Sequence, residues 1–137
     1  MQYWLMKSEP DVFSWDDLVA KKEAEWDGVR SHAAQLNMRA MKKGDRAFFY
    51  HSNIGLECVG IMTIVGEARQ DSTDETGKWK SVMVAPFEKL PAPVTLKAIK
   101  AEPALADMAV VRQGRLSVSP VSADEYARIL KMARAAA

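Results

Sequence analysis

Cysteine and histidine are scarce in this chain, and their scarcity excludes several classes of site. The single cysteine, Cys58, cannot form an intramolecular disulfide, and it leaves no zinc site built from thiolates. It stands in an apolar run, which predicts a small buried side chain. Only His32 and His51 belong to the residue type whose charge changes near neutral pH.

The usual catalytic motifs are also missing. The glycines form neither a phosphate-binding loop followed by lysine nor a dinucleotide fingerprint after a strand, and no nucleophile elbow occurs. We therefore expect no metal and no cofactor. An enzyme would have to use His51 as its acid or base, and the sequence gives little support for one.

Long hydrophobic runs are absent as well, although 48% of the residues are hydrophobic. No apolar stretch approaches the length of a membrane span, and the first residues lack the pattern of a signal peptide. These observations predict a cytoplasmic protein with no membrane partner. We also expect the protein to be a monomer.

The chain has no excess charge of either sign. Nineteen lysines and arginines nearly balance eighteen aspartates and glutamates. Proteins that follow long stretches of phosphate backbone are usually basic, so any nucleic-acid role must depend on a pocket or a local patch. One basic cluster is present, at Arg39, Lys42, Lys43 and Arg46, although a solvated helix end explains most clusters of this kind.

The pattern that is present predicts an α+β fold of about five to six strands with peripheral helices, in one domain over residues 1–137. Strands are expected at residues 3–7, 47–51, 58–65, 80–85 and 116–118, the second and third forming a hairpin. Serines predict helix starts at Ser14, Ser31 and Ser122, and the second helix is expected to end near Gly44. Residues 70–78 are predicted to form an exposed loop.

Aromatic side chains stand beside hydrogen-bonding residues at three places, and this combination suits a planar heterocycle. Each place also has a simpler interpretation, because a tryptophan in a small domain is usually part of the core, and His51 is equally consistent with a structural role. The three groups are Trp4 with Lys7 and Ser8, Trp26 with residues 27–31, and Tyr50-His51-Ser52.

Five blocks of sequence resemble the successive signatures of EVE-domain proteins, in the family's order and over nearly the whole chain. They are Tyr3-Trp4-Leu5-Met6-Lys7-Ser8-Glu9-Pro10, Trp26-Asp27-Gly28-Val29-Arg30, Met41-Lys42-Lys43-Gly44-Asp45, Phe49-Tyr50-His51-Ser52 and Arg115-Leu116-Ser117-Val118-Ser119-Pro120-Val121. The resemblance implies a PUA-like fold, a bent antiparallel β-barrel with helices at its ends. It also implies binding of modified bases in DNA or RNA, notably 5-methylcytosine and its oxidised forms.

The resemblance further implies a set of pocket residues. Family members commonly carry Asn at Ser31 and often Tyr at His32, so the identity of the base stays open. The base-binding residues would be Trp4, Lys7, Ser8, Trp26, Gly28, Val29, Arg30, Ser31, Tyr50, His51, Ser52, Arg115, Leu116 and Ser117. Phosphates would be contacted by Lys7, Arg30, Arg39, Lys42, Lys43 and Arg46.

The resulting hypothesis is a non-catalytic reader in which Trp26 stacks on an extruded base, with DNA and RNA both open as partners. Two alternatives remain. The same pocket could hold a free nucleoside or another small heterocycle, either as a binder or as an enzyme. The domain could also be a protein-interaction module whose pocket binds no nucleic acid.

Overall fold

The computed structural model describes residues 1–137, and it contains six strands, five α-helices and one 3-10 turn. The strands are β1 (Tyr3–Ser8), β2 (Ala24–Trp26), β3 (Arg46–His51), β4 (Glu57–Gln70), β5 (Lys80–Thr95) and β6 (Val118–Val121). The helices are α1 (Trp15–Lys21), α2 (His32–Ala40), α3 (Leu96–Ala101), α4 (Ala109–Arg112) and α5 (Ala123–Ala135), with a 3-10 turn at Pro103–Leu105.

All six strands belong to one sheet in the order β2-β5-β4-β3-β1-β6. The α+β class and the strand number are as predicted. Two details differ from the expected antiparallel barrel: β1 pairs with β3 in parallel, and the outer strands β2 and β6 do not pair, so the sheet is not closed. Parallel pairing is possible because the connection from β1 to β3 contains α1, β2 and α2, and parallel neighbours need such a long crossover.

Side chains of successive strand residues point to opposite faces of the sheet and form one apolar cluster on each face. In β3, Phe49 belongs to the cluster covered by α1 and α2, whereas Phe48 and Tyr50 belong to the cluster covered by α3, α4 and α5. This alternation follows from the two-residue period of a strand. Cys58 lies in the second cluster and is fully buried, and burial raises the pKa of its thiol.

Serine caps begin three helices where they were predicted. Ser14 and Ser122 form complete capping boxes with Asp17 and Glu125, and the Ser31 hydroxyl accepts the amide of Ala34. The predicted hairpin is present as β3 and β4. No helix has the length and apolar character needed to cross a bilayer.

Strand β5 is much longer than the predicted segment 80–85, because it continues past Pro86 to Thr95. Strand β2 pairs with β5 only from Val82 to Val84, so the later part of β5 is an edge strand. A proline at an edge or a bulge deprives no neighbour of a hydrogen bond, and the β4–β5 register shifts at several points.

Helix α2 ends at Ala40 and not near Gly44 as predicted. A buried carboxylate on Asp45 organises the turn that follows: it accepts the Lys42 amide at 2.9 Å, the Gln2 amide at 3.0 Å and the Trp4 indole N–H at 3.0 Å. These bonds require Lys42 and Asp45 to lie in a turn, which stops the helix before them. Two smaller corrections concern β2, which was not predicted, and β6, which begins at Val118.

The close approach of α1 to the sheet requires glycine at position 60. A β-carbon there would lie 2.5 Å from the ring of Trp15, which is itself only 4% exposed and cannot move aside. We expect Gly60→Ala to lower the free energy of unfolding by about 1–3 kcal/mol, as overpacking does. Urea denaturation measures this value.

Gly114→Ala is the matched control, because no heavy atom lies within 4 Å of the added carbon. We expect a change within about 0.5 kcal/mol for this variant. Equal midpoints for the two variants would contradict the packing argument.

Candidate functional site

A cavity of about 600 Å³ opens beside the C-terminal end of β1. Its walls come from the end of β1, the loop before α1, strand β2 and the loop between β2 and α2. This volume lies in the range of small-molecule and base-binding pockets. The lining residues are Lys7, Ser8, Glu9, Val12, Phe13, Lys21, Ala24, Glu25, Trp26, Asp27, Gly28, Val29, Arg30, Ser31 and Ser117.

Trp26 forms the aromatic wall of the cavity. Its ring meets Phe49 edge-on at 5.4 Å between centroids and Phe13 edge-on at 6.4 Å. These contacts leave Trp26 only 7% exposed and fix its orientation. Its indole N–H donates to no protein acceptor, in contrast to the N–H of Trp4, which is bonded to Asp45.

A buried carboxylate, paired with a partly exposed arginine, holds the loop between β2 and α2. The side chain of Asp71 is fully buried; it accepts the Gly28 amide at 2.8 Å, the Arg30 guanidinium at 3.1 Å and both the amide and the hydroxyl of Thr73. Burial acts to raise the pKa of Asp71, but the bonds from Thr73, Gly28 and Arg30 outweigh it and lower the pKa to about 2.

The same loop is tied to the sheet by a buried amide. Gln35 is 2% exposed and donates to the carbonyls of Val29 (2.9 Å) and Lys80 (3.0 Å). The amides of Val29, Arg30 and Ser31 donate to no protein acceptor. The loop is therefore rigid and still offers unused backbone donors.

On the opposite side of the cavity, the end of β1 is fixed by two bonds. The Ser8 hydroxyl donates to the Phe13 carbonyl at 2.6 Å, and the Lys7 ammonium donates to the Gly114 carbonyl at 2.7 Å. Burial lowers the pKa of Lys7. Ser8 therefore keeps acceptor capacity for a ligand. The Lys7 ammonium keeps two of its three donors, although it also lies 5.7 Å from the centre of the Tyr50 ring, its partner in the strand register.

Eight of the fourteen predicted base-binding residues line this cavity: Lys7, Ser8, Trp26, Gly28, Val29, Arg30, Ser31 and Ser117. Arg115 and Leu116 instead line a second cavity of about 360 Å³, which shares Ser31 with the first. The base-binding role of all fourteen stays a prediction.

Trp4, Tyr50 and Ser52 do not line the cavity. Trp4 is buried near the start of β1 against Asp45, and Tyr50 lies on the other face of the sheet, where burial raises its pKa to about 12. The Ser52 amide donates to the Ser8 carbonyl at 2.9 Å, which places Ser52 behind the cavity wall.

His51 also lies outside the cavity. Its Nε2 accepts the Trp15 amide at 3.1 Å, and its ring meets Phe49 edge-on at 5.5 Å. Burial lowers the pKa of His51, which favours the neutral ring that this bond requires. One of the two ring nitrogens of His51 is thus engaged in joining α1 to the sheet.

The six predicted phosphate contacts divide between two regions. Lys7 and Arg30 border the cavity, whereas Arg39, Lys42, Lys43 and Arg46 do not. The reason is the parallel pairing: Arg46 lies opposite Tyr3 at the start of β1, and Lys7 lies near its end. Arg46 bonds to Thr63, and its guanidinium lies 3.5 Å from the centroid of the Phe87 ring.

Sequence reasoning missed several residues of the site. The loop at residues 70–78 was predicted to be exposed, yet Asp71 in it is completely buried and Asp74 is 7% exposed. The available signal was the pair of Asp-x-Thr segments, Asp71–Thr73 and Asp74–Thr76, in which a carboxylate accepts from the threonine two residues later. Phe13 and Glu25 were not selected, because each belongs to a segment without a distinctive pattern. Asp27 was part of the Trp26–Arg30 block but was given no role in the pocket.

Comparison with known proteins gives one family. The model of the EVE domain matches residues 2–132. Thymocyte nuclear protein 1 of Mus musculus is 37% identical over 95% of this chain and 73% of its own length.

Two solved structures illustrate the similarity in fold. The NMR structure of a Rhodopseudomonas palustris protein is 52% identical, covers 98% of this chain and 94% of its own, and has a TM-score of 0.93. The crystal structure of human THYN1 in complex with 5-methylcytosine-containing DNA is 33% identical in sequence. It covers 97% of this chain and 98% of its own, and its TM-score is 0.91.

The Asp71 ion pair predicts how stability depends on pH. The folded pKa of about 2 lies below the ordinary 3.8, so the stabilisation is present above about pH 4 and is lost as the pH falls through 2. We expect Asp71→Asn to lower the unfolding free energy by about 2 kcal/mol at neutral pH, and the gap to wild type to narrow in acid. Urea titrations of both proteins at about pH 7, 4 and 2.5 measure this difference in unfolding free energy.

Asp107→Asn serves as the control, because Asp107 pairs with Arg112 at 2.7 Å but is 88% exposed. An exposed pair of this kind contributes at most about 1 kcal/mol. A difference between Asp71→Asn and wild type that is the same at every pH would argue against the assigned role.

Proposed function

The chain belongs to the EVE-domain family, and on that premise we propose that it is a non-catalytic reader of a modified base in DNA, with 5-methylcytosine as the base. The observation that carries the proposal is the cavity beside Trp26, in a fold that matches the human protein in its complex with 5-methylcytosine-containing DNA. RNA as the partner is an alternative outcome of the test.

The size and composition of the cavity support a planar base. Trp26 and Phe13 provide apolar contact, and Ser8, Lys7 and the unused amides of Val29, Arg30 and Ser31 provide polar groups at its rim. Contact between a base and an aromatic side chain contributes about 1–3 kcal/mol. Extruding a base costs a few kcal/mol, so polar contacts to the base edge are needed as well.

The lining of the cavity favours binding over catalysis. It contains no histidine and no cysteine, and the carboxylate of Glu25 is bonded to Ser72 and Ser81. The lining therefore has no histidine or cysteine to act as a base or a nucleophile, and of its three carboxylates only Asp27 accepts no hydrogen bond from another residue. Binding of a free nucleoside in the same cavity is the competing possibility, and the experiment below distinguishes it.

Two buried tryptophans provide the test. Trp26 and Trp4 belong to the same apolar cluster and are 7% and 6% exposed, but only Trp26 lines the cavity. We expect Trp26→Phe to weaken binding of 5-methylcytosine DNA about tenfold, because ring area and the N–H are lost together. Trp4→Phe should leave affinity within about twofold of wild type, although it loses its bond to Asp45.

Fluorescence anisotropy with labelled oligonucleotides measures both variants. The probes are single- and double-stranded DNA and RNA carrying cytosine, 5-methylcytosine, 5-hydroxymethylcytosine or N6-methyladenine at one position. Preference for a modified base that Trp26→Phe abolishes supports the proposal. Binding of free nucleosides without oligonucleotide binding would replace it with a nucleoside-binding function.

Only a few cations border the cavity, so binding should depend weakly on salt. Lys7, Lys21 and Arg30 are the basic residues in its lining, and Arg30 is already paired with Asp71. We expect the logarithm of the association constant to fall with the logarithm of salt concentration with a slope of about −1 to −3. A slope near −6 or steeper would mean that the distant cluster at Arg39, Lys42, Lys43 and Arg46 also binds phosphates.

A further inference from the structure

Three carboxylates lie close enough together beside the cavity for their charges to interact: Glu25, Asp27 and Asp71. Two of them are fully engaged by the protein. Glu25 accepts the Ser72 amide at 2.9 Å, the Ser81 hydroxyl at 2.7 Å and the Ser72 hydroxyl, and Asp71 is bonded as described above. Asp27 accepts no hydrogen bond from another residue and has no cation within 4 Å, yet it lines the cavity.

The Asp27 carboxylate is exposed where it lines the cavity, and no protein donor engages it. Partial desolvation raises the pKa of Asp27 and the charges of Asp71 and Glu25 raise it further, whereas its own amide and the charge of Lys21 lower it. Neither neighbour can turn away to relieve this repulsion, because each is fixed by its own donors. A ligand that brought a hydrogen-bond donor to Asp27 would therefore be bound more strongly than one that brought an acceptor.

A second observation also indicates a polar ligand in this cavity. Trp26 is 93% buried as a residue, but its N–H has no protein acceptor and remains accessible to solvent, whereas the N–H of Trp4 is bonded to a carboxylate. The neighbouring residues Trp26 and Asp27 thus offer one free donor and one free acceptor to the same cavity. A flat ring with both kinds of group at its edge matches this pair.

We propose that Asp27 determines the base specificity of the cavity by accepting a hydrogen bond from the exocyclic amino group of an extruded cytosine. This inference rests on the function proposed above and adds to it the residue that selects cytosine over thymine. Carboxylates are the side chains that accept from the cytosine N4 amino group. Thymine has a carbonyl oxygen at that position, and this oxygen and the Asp27 carboxylate would repel each other because both are acceptors.

The comparison of 5-methylcytosine with thymine isolates this contact. Both bases carry a methyl group at C5 and differ in the edge that normally pairs. The experiment measures binding of single-stranded DNA whose central base is 5-methylcytosine, unmodified cytosine or thymine, the rest of the sequence being identical and free of pyrimidines. Wild type and Asp27→Asn are compared, because the asparagine amide can present either an acceptor or a donor.

Glu9→Gln is the matched control. Glu9 lines the same cavity and loses the same charge, but its carboxylate is bonded to the Asn53 amide at 2.7 Å. Removing either charge is expected to strengthen binding of all DNA slightly. Only the change at Asp27 should alter the choice between the two bases. Thermal melting of each variant checks that it is folded.

We expect wild type and Glu9→Gln to bind the 5-methylcytosine strand at least about tenfold more tightly than the thymine strand, and Asp27→Asn to lose most of that ratio. Asp27→Asn with the full ratio, or with equal losses for both strands, would overturn the role of Asp27. Failure of the proposed function gives a different result, in which wild type does not distinguish 5-methylcytosine from unmodified cytosine.

Discussion

The fully buried carboxylate of Asp71 is the constraint on which the cavity depends. A buried charge is tolerated only when its oxygens are saturated with donors, and here those donors come from Gly28, Arg30 and Thr73, in two segments distant in sequence. Because this one carboxylate binds donors from both segments, it fixes the loop before α2 and the loop before β5. Gly28 donates its amide from a left-handed backbone conformation, with φ at +78°.

The parallel pairing of β1 and β3 decides which residues can act together. It places the starts of the two strands at one end of the sheet, with Arg46 and the Asp45 turn, and their ends at the other, with Ser8 and the cavity. The alternation within β3 adds a second division, because Phe49 supports Trp26 while Tyr50 packs on the far face. Residues that adjoin in a sequence motif are thus separated by the sheet.

Local signals made much of the fold predictable. Serine caps and the hairpin depend on neighbours in sequence, and both are found in the structure. The end of α2 and the length of β5 were not predictable, because a bond from Trp4 to Asp45 and the short reach of β2 decide them. Contacts between distant residues also limit prediction of the site. The segment Trp26–Ser31 was identified as a block, but the bond from Arg30 to Asp71 links residues more than forty positions apart and leaves no local signal.

The buried thiol of Cys58 has a practical consequence for anyone who wishes to follow this molecule. Burial that raises the thiol pKa keeps the sulfur as an unreactive thiol, so it resists alkylating reagents as long as the protein stays folded. Val12 stands at the cavity rim with 74% of its surface exposed. A cysteine substituted there would be the only reactive thiol in the folded protein, and a dye attached to it would report directly on what enters the cavity.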